Sequence, residues 1–168
     1  MQNNFTQEEI KNSVEYLWRK HQIKSLLIAY LIVAPIVLLI CFLSVINDLS
    51  YIGIALLVWL FELILTGLIF GGLCLFYYVK IRYLLNNYHN FNAYEVTLDT
   101  PSTSFMYKGA IYYKVSFVDN ELTKVVDTNP YFSDLLFSKF SPSQFNNKKV
   151  IGLYDNNKNI FYIIKKLD

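Results

Sequence analysis

Two almost uncharged apolar segments, residues 25–46 and 52–79, dominate the pattern of hydrophobic and polar positions along the chain. They contain 22 and 28 residues. As helices they would extend about 33 and 42 Å, against a hydrocarbon core of about 30 Å. A polar break with the sequence Asn-Asp-Leu-Ser-Tyr separates them. The pattern therefore predicts a hairpin of two transmembrane helices over residues 25–79.

The segment before the hairpin, residues 1–24, has the pattern of an amphipathic helix. Thr6 and Glu9 fit a capping box, in which each side chain bonds the other residue's backbone amide. Charged residues such as Glu15 and Arg19 fall outside the apolar stripe. Apolar residues recur after the cap at helical spacing: Ile10, Val14, Leu17 and Trp18. We expect this segment to be cytosolic and helical.

Beyond the hairpin, helical spacing continues through a linker helix at residues 80–92, and from residue 93 the period becomes two. A polar turn at Asp155 separates a second pair of apolar runs. The strongest alternation, and hence the clearest strand, is Ile111, Tyr113, Val115 and Phe117. Weaker strand signals lie at 94–98, 103–107 and 132–137. Residues 93–168 therefore predict a small antiparallel β-barrel or sandwich, and the whole chain a membrane α+β protein.

Basic residues near the helix ends predict the orientation of the hairpin. The loop between the apolar segments has no Lys or Arg. The flanks carry five basic residues: Arg19, Lys20, Lys24, Lys80 and Arg82. We expect a multi-pass protein of the cell membrane with both termini cytoplasmic.

The composition of the chain limits the kinds of binding and catalysis that it could support. The chain has 15 basic and 13 acidic residues and a net charge of +2, without the clustered basic residues of a nucleic-acid footprint. Both cysteines, Cys41 and Cys74, lie in the apolar segments, and both histidines, His21 and His89, lie at the edges of these segments. The segment 93–168 has neither residue type and no glycine-rich phosphate loop. We therefore expect no catalytic residue, metal or cofactor.

Five residues of the second apolar segment form the candidate contact site. Glu62 would lie roughly 5 Å from the midplane, where a charge costs about 2.5–3.5 kcal/mol. It should face protein, find a partner or be protonated. Gly67 and Gly71 are four apart, a spacing that permits close helix approach, and Thr66 and Gly72 adjoin them. Glu62 and Gly67 are about 140° apart on a helix. We expect one face to pack within the hairpin and the other to contact a second copy or another membrane protein.

Four further residues have predicted roles in the membrane. Pro35 should kink the first helix, because proline removes a backbone hydrogen bond. This kink serves either packing or a conducting path. We expect Trp18, Tyr77 and Tyr78 to be interface anchors, since aromatic residues favour the headgroup region.

Parts of the chain resemble a widespread family of small bacterial membrane proteins of unknown function, which have a two-helix hairpin and a cytosolic minimal β domain. The similar features are Tyr113-Lys114-Val115-Ser116-Phe117, Thr128 on the return strand, Lys149-Val150-Ile151-Gly152-Leu153-Tyr154-Asp155, and residues 159–164. That family has no assigned catalytic residues that the resemblance could transfer to this chain. The order of elements is also similar to membrane effectors of anti-phage signalling, whose small β-barrel binds a cyclic nucleotide.

Three functions fit these observations. The first is a non-enzymatic membrane protein whose β domain and hairpin bind a protein partner, as an assembly factor or an immunity protein against a membrane-acting toxin would. The second is a ligand-gated membrane effector that senses a small anionic ligand such as a cyclic nucleotide. The third is a small ion- or proton-handling assembly, a homo-oligomer centred on Glu62. The lipid bilayer is an expected partner in each.

Overall fold

A computed structural model describes residues 4–46, 48–99, 102–103, 110–119, 121–132 and 142–167. The chain divides into two compact units. We call Met1–Arg19 together with Ile81–Asp168 the β unit, and Lys20–Lys80 the hairpin unit. Most of the weak strands predicted at 103–107 and 132–137 lies outside the described residues.

Long helices form the first half of the chain, as the apolar segments predict. They are longer than those segments, because helical sequence continues before the first segment and after the second. The bounds are α1 (Gln7–Lys11), α2 (Val14–Ser44) and α3 (Ile52–Asn87), with short 3₁₀ turns at Leu49–Tyr51 and Tyr88–Asn90. The segments Val14–Ser44 and Ile52–Asn90 are long and apolar enough to cross a membrane. Of the linker helix predicted at residues 80–92, residues 80–87 are the last part of α3, and the first strand already begins at Asn92.

The predicted amphipathic helix is two helices rather than one. The capping box is present: Glu9 N donates to Thr6 Oγ1 at 3.2 Å, and Thr6 N donates to Glu9 Oε2 at 2.8 Å. Ser13 then interrupts the helix. Its hydroxyl donates to Ile10 O at 2.6 Å and accepts from Tyr16 N at 3.2 Å, which satisfies backbone groups at both helix ends.

Eight strands follow in the part of the chain that the structure describes, and five of them form one mixed sheet in the order β1-β7-β8-β5-β4. The small strands β2, β3 and β6 pair separately. The strands are β1 (Asn92–Leu98), β2 (Ser102–Thr103), β3 (Ala110–Tyr112), β4 (Lys114–Asp119), β5 (Leu122–Thr128), β6 (Tyr131–Phe132), β7 (Lys148–Asp155) and β8 (Ile160–Leu167).

The predicted small antiparallel β-barrel or sandwich is wrong in two respects, the direction of one strand pair and the closure of a barrel. β5 and β8 pair in parallel, with Asp127 opposite Ile160, because the long connection after β5 brings the β7–β8 hairpin in between β1 and β5. The sheet is also not closed, since no backbone ladder joins the described residues of β1 and β4. The α+β architecture itself is confirmed.

Side chains connect the two free edges of this curled sheet. The ring centroids of Tyr94 on β1 and Phe117 on β4 lie 4.3 Å apart. The Tyr94 hydroxyl donates to Asp119 Oδ1 at 2.6 Å, and Lys124 Nζ donates to Asp119 Oδ2 at 2.7 Å. The hydrogen bonds from Lys124 and Tyr94 lower the pKa of Asp119. Burial and the bond to Asp119 raise the pKa of Tyr94 to about 12.

The central strands β7 and β8 are buried on both faces. Val150, Phe161 and Ile163 face the inside of the curl, where Phe117 also packs. The opposite face joins the helices in one core made of Ile10, Leu84, Tyr88, Phe91, Ala93, Leu153, Tyr162 and Ile164. The ends of α1 and α3 thus belong to the core of the β unit.

Candidate functional site

A fully buried carboxylate, that of Glu15, lies in the first turn of α2. Its Oε1 atom accepts hydrogen bonds from the guanidinium of Arg19, including one from Nε at 2.9 Å. Arg19 is 2% exposed, so the whole ion pair is out of water. Such a carboxylate is costly unless its charge is balanced and its lone pairs accept hydrogen bonds. Arg19 provides the balancing charge.

Two side chains after β5 supply the remaining hydrogen bonds. Asn129 Nδ2 donates to Glu15 Oε1 at 3.0 Å, and the Tyr131 hydroxyl donates to Glu15 Oε2 at 2.6 Å. These donors lie 114 and 116 positions from Glu15 along the chain. The Tyr131 ring also packs edge-on against Trp18, with centroids 5.1 Å apart. One face of the first turns of α2 is therefore bonded to the segment after β5, within the same β unit.

Burial and charge keep the neighbouring phenols protonated. Burial, followed by the Glu15 charge, raises the pKa of Tyr131 well above its usual value. Burial also raises the pKa of Tyr162, with smaller contributions from the charges of Glu15 and Asp155. Tyr131 therefore retains at neutral pH the proton that it donates to Glu15.

A second buried carboxylate, that of Asp155, joins the sheet to α3. The Tyr83 hydroxyl donates to Asp155 Oδ2 at 2.8 Å. Asp155 Oδ1 accepts from the backbone amides of Asn157 at 3.0 Å and Lys158 at 3.3 Å, so the predicted polar turn is held by its first residue. Lys158 Nζ lies 3.2 Å from the centroid of the Tyr83 ring. The β7–β8 turn is thus fixed to the last turns of α3.

Within the described part of the hairpin unit, three side chains donate to backbone carbonyls between α2 and α3, one of them the Cys74 thiol, whose Sγ lies 3.9 Å from Ile23 O. The Tyr30 hydroxyl donates to Leu63 O at 3.2 Å, and Trp59 Nε1 donates to Ala34 O at 3.1 Å. A methyl group at Gly67 would meet the Tyr30 hydroxyl at 3.2 Å. Gly67 therefore lies on the face of α3 that packs within the hairpin.

The other predicted contact residues of α3 are distributed differently. Among the described residues, no atom lies within 4 Å of a methyl group built on Gly71 or Gly72. Thr66 is half-buried, and its hydroxyl donates to Glu62 O at 2.7 Å. Glu62 is half-buried too. Its carboxylate makes no hydrogen bond or ion pair with the rest of the described chain. Its role as an association or partner contact stays a prediction.

The predicted kink and anchor residues occupy varied surroundings. Pro35 lies inside α2, next to the carbonyl that Trp59 binds. Trp18 is 2% exposed and packs inside the β unit. Tyr77 is half-buried and packs edge-on to Phe76, whereas Tyr78 is exposed. Tyr78 is therefore the anchor candidate whose ring is most available to a lipid interface.

The β4–β5 hairpin presents a group of exposed apolar side chains that sequence reasoning missed. Val118, Leu122 and Val125 are 63%, 68% and 60% exposed. In the described part of the β unit, the other large hydrophobic residue exposed to a comparable degree is Leu17, at 42%. The burial pattern of β4 alternates throughout, yet its exposed position 118 is an apolar valine, and this mismatch of residue type is a signal in the sequence that could have revealed this surface. Val118 and Val125 share the outer face of the hairpin, whereas Leu122, opposite Asp119, lies on the other face beside the turn. We call these three residues of the hairpin the apolar hairpin surface.

Two observations bear on metal and ligand sites among the described residues. No three His, Cys, Asp or Glu residues of the described ranges are grouped to hold a metal ion. A shallow open depression of about 170 Å³ is lined by Glu95, Val96, Thr97 and Lys149. One acid and one base there give no net positive charge for an anionic ligand.

Comparison with known proteins yields no relative. No protein-family description, no curated protein and no solved structure matches the chain. The residues and contacts above are therefore the basis for any functional proposal.

Proposed function

We propose that this chain is a membrane-anchored, non-enzymatic binding module, whose β unit contacts a protein partner through the apolar hairpin surface. In this proposal α2 and α3 cross the cell membrane and both termini are cytoplasmic. The length and apolar character of Val14–Ser44 and Ile52–Asn90 support the anchoring. The binding role rests on one observation, the concentration of Val118, Leu122 and Val125 on one hairpin of the β unit.

The position of these side chains favours contact with another molecule over packing in a core. Val118 on β4 faces Thr123 on β5, and Val125 faces Ser116, so the two valines are diagonal neighbours on the outer face. Exposed apolar residues favour unwanted association unless they serve a contact. The exposed positions of the opposite edge, β1, include the polar Glu95 and Thr97.

Charge indicates the class of partner. Lys114 and Asp127 face each other at one end of this surface, and the exposed Glu121 lies at the other. This mixture does not attract anionic lipid headgroups or nucleic acid, both of which need clustered basic residues. Three side chains are also far fewer than the roughly 20–30 residues per side of a stable interface. A protein partner that makes a small apolar contact fits best.

Site-specific photo-crosslinking in native membranes tests this proposal. A photoreactive residue at Val125 should give a discrete crosslinked product, and Val118→Glu should abolish that product. The matched control is a photoreactive residue at Thr97, which is exposed on β1 and should give none. Absence of a product from Val118, Leu122 and Val125 alike would refute the binding role of this surface.

Glu62 supports a second candidate function, a small proton-handling assembly. A half-buried carboxylate in a helix apolar enough to cross a membrane, with no hydrogen-bonding partner among the described residues, is available to contact a second copy or a transported ion. Proton flux into vesicles that contain the pure chain tests this candidate. Glu62→Gln should remove the flux, and Thr66→Ser serves as the matched control. No feature of the described residues specifically supports the sensing of a small anionic ligand by the β unit. That function stays a prediction.

A further inference from the structure

Each long helix is joined to the rest of the β unit by one buried carboxylate, and the two joints have opposite chemistry. At α2 the helix brings the acid, Glu15, and the chain after β5 brings the donors Asn129 and Tyr131. At α3 the helix brings the donor, Tyr83, and the sheet brings the acid, Asp155. We propose that these joints determine which helix packs at which place on the sheet and at which rotation, and that they contribute this selectivity rather than net stability.

The ion pair itself does not hold α2 in place. Glu15 and Arg19 belong to the same helix, so their attraction would be the same wherever that helix lay. Removing two charges from water opposes that attraction, and apolar replacements of buried ion pairs are often as stable. Apolar packing at this position is already provided by Trp18, whose ring contacts Tyr131.

Rotation of α2 would be penalised by the loss of directional bonds. A shift of one residue turns the helix by about 100°. Glu15 would then lose both the Asn129 and the Tyr131 donors, and a buried carboxylate would retain Arg19 alone. Hydrophobic contact is non-directional, so Trp18 by itself would discriminate much less between rotations.

Exchange of the two helices would be penalised as well. If α2 occupied the place of α3, Glu15 would face Asp155, and two buried carboxylates would repel each other. If α3 occupied the place of α2, Tyr83 would face Tyr131 with no carboxylate between them. Specificity of this kind depends on making the alternatives unfavourable, which opposite joint chemistries achieve.

Fluorine NMR on the full chain in detergent, labelled with 5-fluorotryptophan, tests the proposal. The chain has two tryptophans. Trp18 reports on the α2 joint, and Trp59, which donates to Ala34 O in the hairpin unit, is the internal control. The test variant replaces the joint with apolar residues of similar size: Glu15→Met, Arg19→Leu, Asn129→Leu and Tyr131→Phe.

We expect the thermal midpoint of the variant to stay within about 5 °C of the wild type. We also expect its Trp18 resonance to split into two or more, while Trp59 remains single. A control variant, Glu8→Met with Lys11→Leu on the exposed face of α1, should keep both resonances single. A single wild-type-like Trp18 resonance in the test variant would overturn the selectivity role. A variant that unfolds, or loses more than about 10 °C, would show that the joint supplies net stability and would overturn it equally.

Discussion

Tyr131 and Glu15 lie 116 positions apart in the chain, yet the Tyr131 hydroxyl donates to Glu15 Oε2 at 2.6 Å in a fully buried position. This bond joins the segment after β5 to the first turn of α2. It also places the Glu15–Arg19 pair where neither charge can be hydrated. The two residues should therefore respond strongly to truncation.

Glu15→Ala should destabilise the chain by about 3–5 kcal/mol, because it leaves the Arg19 charge buried and unpaired. Tyr131→Phe should cost about 1.5–3 kcal/mol, the range for a hydrogen bond to a charged group. Chemical denaturation in detergent measures both values. Glu8→Ala, at an exposed position of α1, is the matched control and should stay within about 0.5 kcal/mol of the wild type. A loss below about 1 kcal/mol for Glu15→Ala would contradict the burial of the pair.

Gly152→Ala should also destabilise the β unit. A methyl group at Gly152 would collide with the Phe161 ring and come within 2.6 Å of Tyr162 O, at the point where the β7–β8 register shifts. Overpacking of this kind costs about 1–3 kcal/mol. Gly72→Ala is the control, since no described atom lies within 4 Å of its added methyl group, and removing a helical glycine should stabilise by up to about 1 kcal/mol. Equal stabilities of the two variants would show that the close contact does not exist.

The Asp119 contact predicts a pH dependence of stability. The hydrogen bonds from Lys124 and Tyr94 lower the folded-state pKa of Asp119 below its ordinary value of 3.8. Ionised Asp119 therefore stabilises the fold above that value, and the stabilisation is lost as the pH falls through the lowered pKa. Urea denaturation from about pH 6 to about pH 2 should show a wild-type advantage over Asp119→Asn that vanishes at the acid end. An advantage that persists at the lowest pH would refute this assignment.

The proposed orientation predicts a pattern of cysteine labelling. In a background with Cys41→Ser and Cys74→Ser, a cysteine at Ser50 should react with an impermeant reagent added to intact cells. A cysteine at Glu121, exposed in the β unit, should react only after the cells are opened. Labelling of position 121 in intact cells would show that the predicted orientation is wrong. The reagent and the cells are the same for both positions, so a difference in labelling reports the side of the membrane.

The sequence alone was informative where structure depends on near neighbours. The long apolar segments predict the helices α2 and α3, Thr6 and Glu9 predict the helix start, and the alternation around Phe117 predicts β4. Each depends on residues within a few positions of one another, so local spacing is sufficient. Ser13, which divides the first predicted helix, is an equally local signal. The hydrophobic spacing on either side of it nevertheless favoured the prediction of a single helix.

The tertiary structure decided what each element faces. The spacing of Glu15 and Arg19 is the same for an exposed pair and a buried one, because burial depends on Asn129 and Tyr131 more than a hundred positions later. Strand patterns likewise do not reveal that β8 pairs in parallel with β5. The apolar sequence determined where the long helices form, since helix length and hydrophobicity are local. Which polar groups lost their water was decided by distant segments coming together, since only folding brings the compensating donors within hydrogen-bonding distance.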